Sequence, residues 1–74
     1  MINEITMLRA NIMGGMNEYI KELGDEVIYM KWIMIFPDEA TEDDLIEMAE
    51  DEEIWLDVVK CFARCLEVAQ KGGN

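Results

Sequence analysis

The chain has 74 residues, 51% of them hydrophobic, and its 17 acidic and six basic side chains leave a net charge of −11. That length makes one domain, near the size at which a single core barely suffices. Two cysteines exclude a cystine framework, and the charge balance argues against direct contact with nucleic acid or an anionic membrane, since phosphate contacts need Lys and Arg.

The first segment begins near Asn3, a candidate N-cap. Ile5, Leu8, Ile12, Met16, Tyr19 and Leu23 follow at steps of three and four, and with Met13 and Ile20 they span an arc of roughly 140° on a helical wheel. This predicts an amphipathic helix over about 3–23, with Met7 off the apolar side and Gly14-Gly15 as a weak middle. Gly24-Asp25 reads as punctuation: Gly closes one helix and Asp caps the next.

The second segment, EVIYMKWIMIF, is rich in β-branched and aromatic residues and so also suits a strand. No other stretch reads as a strand, and a lone strand leaves its backbone groups unpaired. A short buried helix over about 25–36, ended by Pro37, is therefore expected; the alternative is a strand at 27–36 pairing across a dimer. The run Val27 to Phe36 is broken by Lys31 and is about half the length of a membrane span. The opening MINEITMLRA has no basic lead-in to an apolar core, so no signal peptide is expected, and the cysteines are read as reduced, in the cytoplasm.

Thr41-Glu42-Asp43-Asp44 forms a capping-box pattern with Asp44 in the position usually held by Glu or Gln, opening a helix over about 42–50. Asp51 caps a fourth helix over about 52–70. There Glu53, Asp57, Lys60, Arg64, Glu67 and Lys71 fall inside an arc of about 80°. Trp55, Val58, Val59, Phe62, Leu66 and Ala69 face away from it. A helix so widely apolar is the centre of a bundle or also touches another chain. The fold expected is a single all-α domain of four helices, the fourth at the centre.

The charge is unevenly placed. Residues 32–59 hold eleven acids and no base. Acids in the first turns of helices three and four answer the helix dipole, each typically contributing 0.3–1 kcal/mol. That accounts for about half of the cluster and not for the missing bases. Candidate partner-binding residues are therefore Asp38, Glu39, Glu42, Asp43, Asp44, Glu47, Glu50, Asp51, Glu52 and Glu53. The partner they fit is a basic protein, steered by the field of the acidic side; the plainer reading is a solvated face that keeps a Met-rich chain in solution.

Other constellations carry less. The chain has no His, no Gly-rich phosphate loop and no Ca²⁺-loop spacing, so neither a catalytic residue, a metal site nor a cofactor is expected, and an enzyme is disfavoured. Cys61 and Cys65, one turn apart, are half of a metal site at most and read as small buried hydrophobes. Tyr29, Trp32 and Met34, with the outer face of helix four, are candidates for an apolar interface if the chain is a self-associating scaffold, for which a homodimer is the natural form.

The run Trp32-Ile33 … Phe36-Pro37-Asp38-Glu39-Ala40-Thr41-Glu42-Asp43-Asp44, then Ala49-Glu50-Asp51-Glu52-Glu53 and a helix with Phe62, resembles a group of small acidic proteins of bacteriophages and prophages. The likeness covers about residues 19–66, and its most specific part is the aromatic residue followed by P-D-x-A-T-x-D/E. The group is uncharacterised, so no functional residue carries over. What the resemblance implies is context: small phage proteins often counter host defences, as anti-CRISPR and anti-restriction inhibitors do, several of them acidic mimics.

Overall fold

The helix starts are written in side chains that satisfy the free N–H groups of each first turn. In the computed structural model, which describes residues 3–72, Asn3 Oδ1 accepts from the Thr6 amide at 2.8 Å and opens α1 (Glu4–Leu23). Gly24, at φ 75, closes it in the left-handed region that a side chain would strain. Asp25 Oδ1 then accepts from the Ile28 amide and starts α2 (Glu26–Ile35). The Phe36 amide reaches the Trp32 carbonyl, and Pro37 prevents continuation. Thr41 and Asp44 exchange side-chain hydrogen bonds at the head of α3 (Glu42–Glu50), a complete capping box. Asp51 Oδ1 accepts from the Glu53 and Ile54 amides at the head of α4 (Glu52–Gly72).

Residues 26–35 are thus a helix, and no strand occurs among the described residues, which removes the strand-paired dimer. The four helices match the expected spans to within one or two residues.

α1 and α4 lie side by side in the same direction: Arg9 meets Glu52 near their starts, and Tyr19 lines a groove with Leu66 further along. The chain returns between them through α2 and α3. α2 packs beside the second half of α1, where Trp32 reaches Asn17, and α3 beside the first half, where the Ala49 carbonyl accepts from Arg9. α2 and α3 together have 19 residues, about one long helix broken in two.

The core is drawn from all four helices. Trp32, Met13 and Ala49 are wholly buried, with Ile20, Ile28 and Val58 nearly so. Trp32 is its largest member: Nε1 donates to Asn17 Oδ1 at 2.9 Å, and the Phe36 ring stacks on it at 5.5 Å, nearly parallel. Burying an indole needs such a partner for its N–H.

The two long helices bury only one edge of the face that their apolar spacing marks: Met13, Met16 and Ile20 of the α1 arc and Val58 of the α4 arc are buried, and most of the rest of each arc is left outside. On α1 the buried residues are Thr6, Ala10, Met13, Met16 and Ile20, whereas Ile5 and Leu8 remain 63% and 60% exposed and Ile12 and Tyr19 are also exposed. On α4, Val58, Cys61 and Cys65 are buried, while Val59, Phe62 and Leu66 stay about half exposed. α4 touches the other three helices, but so does α1, so α4 is not the single centre of the bundle, and it uses only part of its apolar surface. The reason is geometric. One broken return helix covers one side of the α1/α4 pair, and at 23 × 18 Å in cross-section the body is about two helices thick each way. None of the described residues covers the other side.

Candidate acidic interface

All ten candidate carboxylates are exposed, and they divide by what each one touches. Three have structural duties. Asp44 Oδ2 accepts from the Thr41 amide, and Asp51 caps α4. Glu52 takes a forked contact from Arg9, 2.8 Å to Oε1 and 3.3 Å to Oε2.

The other seven, Asp38, Glu39, Glu42, Asp43, Glu47, Glu50 and Glu53, have no ion pair or side-chain hydrogen bond among the described residues. Helical phase gives Asp43, Glu47 and Glu50 a common direction, whereas Glu42, exposed in the first turn, is in phase with the inward Ala49. Leu45 and Ala49 turn inward, so Asp43, Asp44, Glu47 and Glu50 occupy the outward arc of about 120° on the far side of α3. Asp38 and Glu39 lie in the turn between Pro37 and Ala40, closed by the Ala40 amide bonding the Pro37 carbonyl. A groove of about 410 Å³ joins turn and helix, with Glu39, Asp44, Glu47 and Asp51 around a floor of Ala40, Met48 and Ile54. An open apolar floor ringed by carboxylates suits the aliphatic stem and cationic head of a lysine or arginine.

The set is not one continuous patch. Glu52 turns toward α1 and is neutralised there, and Glu53 heads the mixed-charge side of α4, which continues through Asp57, Lys60 and Arg64. The unneutralised face is α3 with the turn before it.

Arg9 is the residue that the spacing pattern passes over. Its side chain is only 18% exposed, and its guanidinium holds the Ala49 carbonyl and Glu52 and sits 5.1 Å from the centre of the Trp55 ring. One side chain thereby ties α1 to the end of α3 and the start of α4. The available signal was its phase: Arg9 falls inside the apolar arc of α1, where a base needs a partner.

The apolar candidates separate. Met34 is 85% exposed, Tyr29 is half-buried against the core, and Trp32 is buried and can face no partner. Trp32 is therefore corrected from interface to core, because its ring is the widest flat surface available to fill the space between α1, α2 and Phe36. Cys61 and Cys65 are buried free thiols. Burial pushes both above the ordinary thiol range; for Cys61 nearby Lys31 partly opposes this, and for Cys65 the neighbouring Cys61 adds to it. Thiols so held are poor nucleophiles and poor metal ligands. Among the described residues no three Cys, Asp or Glu side chains converge as a metal site would need, and no helix is long and apolar enough to cross a membrane.

The molecule defined by these features is a small all-α domain of four helices with one acidic face. No family model, curated protein or solved structure matches the chain.

Proposed function

We propose that this chain is a non-enzymatic binding protein that inhibits a basic, nucleic-acid-handling protein by occupying its groove with the carboxylates of α3 and the preceding turn. The observation that carries this reading is the set of six exposed, unpaired carboxylates on α3 and the turn before it, Asp38, Glu39, Glu42, Asp43, Glu47 and Glu50, on a stretch with no compensating base. α3 itself bears five acids in nine residues. At about 1.5 Å per residue that is one charge per ~2.7 Å, between the ~3.4 Å of one DNA strand and the ~1.7 Å of the duplex. A groove built for phosphates would see a similar field, and encounter would be steered by it. The resemblance to small acidic phage proteins supports the same reading and suggests a role against host defence, in the bacterial cytoplasm.

The test is capture from bacterial lysate by the wild-type chain and by a variant with Glu42, Asp43, Glu47 and Glu50 all changed to Lys. The reading expects basic proteins that are retained by wild type, released by salt or by competing duplex DNA, and lost with the variant at unchanged helicity. Capture that survives the charge reversal would refute it.

A further inference from the structure

We propose that α1 and α4 form the interface of a homodimer, in which the exposed apolar face they share packs against the same face of a second copy. This goes beyond the acidic face and does not depend on what α3 binds.

Ile5, Leu8, Ile12 and Tyr19 form one ridge on α1. Val59, Phe62 and Leu66 form a parallel ridge on α4. Between them run two connected apolar hollows of about 450 and 310 Å³, which share Ile12, Met16 and Phe62. The seven ridge side chains expose on the order of 700 Å² together, close to the ~800 Å² that each partner gives to a standard interface. A typical monomer's largest apolar patch is roughly 300–600 Å².

Three observations select a second copy as the occupant. First, the area matches what a stable dimer needs, and two ridges flanking a hollow are self-complementary, as a two-fold contact requires. Second, the charge layout permits it. The chain carries −11, yet its unpaired acids on α3 sit across the body from this face, and Glu52 near its edge is held by Arg9. Two copies can therefore join without bringing their acidic faces together. Third, Gly15 lines the hollow, and a Cβ added there would meet nothing within 4 Å. Inside one chain this glycine only weakens the helix, whereas a neighbouring helix could approach closely over it.

Sedimentation velocity of the full chain across the micromolar range should show a species of twice the 8.6 kDa chain mass. The midpoint of thermal unfolding should rise with protein concentration, as mass action requires. Phe62→Asp should raise the dissociation constant at least ~100-fold with the circular dichroism of the wild type. Met34→Asp, which adds the same charge elsewhere, should leave the dimer intact. If Phe62→Asp loses helicity, Leu8→Asp replaces it, since Leu8 is more exposed. A monomer at every concentration overturns the proposal, as does an assembly larger than a dimer or a dimer that survives both Phe62→Asp and Leu8→Asp.

Discussion

Glu47 on α3 and Phe62 on α4 are both exposed residues of amphipathic helices, and they are exposed for opposite reasons. Glu47 lies where the pattern of its helix sends a charge, with Leu45 and Ala49 turned inward. Phe62 lies where the pattern marks an inward residue, and no described element covers it. One face is polar by local design; the other is apolar because no described element packs on that side. Two exposed surfaces of one small protein should therefore respond differently to truncation, salt and concentration.

The sharpest break in that comparison is between the covered and uncovered aromatic residues. Trp32→Ala should cost about 3–5 kcal/mol, since it empties the centre of the core and leaves Asn17 without its donor. A chain of 74 residues has roughly 4–11 kcal/mol to lose, so this variant should lose from about a quarter to all of its stability, read as a lowered midpoint in urea. Phe62→Ala, measured in dilute solution by urea titration, should cost well under about 1 kcal/mol, because its side chain is half in water already. Equal losses at the two positions would mean that Phe62 is packed in the core as Trp32 is.

The charge reversal on α3 comes next in size. Lysines at 42, 43, 47 and 50 should weaken capture of a basic partner about a hundredfold, or ~2.7 kcal/mol, read by titration at low salt. Raising salt should weaken the wild-type contact in the same direction. Association through α1 and α4 should hold or strengthen under that salt. A salt response shared by both would erase the distinction between the faces.

Arg9 sits on the border of the two regions and should give an intermediate effect. Arg9→Ala removes the Glu52 fork, the Ala49 carbonyl bond and the contact over Trp55, and about 1–2 kcal/mol should be lost in chemical denaturation. Most of this comes from the buried stem and the carbonyl bond, because Glu52 is 72% exposed and its ion pair is screened. Arg9→Lys should recover little, since an ammonium cannot hold two acceptors and lie over a ring at once.

How far these regions could be read in advance depends on the range of the forces involved. The caps Asn3, Asp25, Thr41 and Asp51 act over two or three residues, so helix starts were legible in the residues themselves. The outward direction of Glu47 and Glu50 was legible too, because phase within a nine-residue helix leaves little choice. The burial of α1 was legible only in part, through Met13, Met16 and Ile20. Its apolar arc is broad enough to accept neighbours over a range of angles, and the angle used depends on where α2 and α3 return. The buried face therefore centres on Met13 and Ile20, with Ile5 and Leu8 left outside. The width of the apolar arc on α4 did announce a surplus; only the fold shows that the surplus of α1 lies beside it.

The smallest effect gives the finest comparison, since it sets two adjacent residues against each other. Gly14 and Gly15 both lie inside α1, and neither would bring a Cβ within 4 Å of another group. In a helix each Gly→Ala change should contribute about 0.5–1 kcal/mol, mostly by narrowing the unfolded ensemble. For a domain of this size, 1 kcal/mol raises the unfolding midpoint by about 4–8 °C. In dilute solution the two variants should gain alike. Gly15, however, lines the hollow between α1 and α4, and Gly14 does not. As protein concentration rises and the apolar faces meet, the methyl of Gly15→Ala occupies space that a second copy needs, and its gain should shrink while that of Gly14→Ala persists. Thermal unfolding of both variants at low and high concentration reads the divergence directly. If the two gains stay equal throughout, Gly15 lies outside the interface and no helix approaches closely over it.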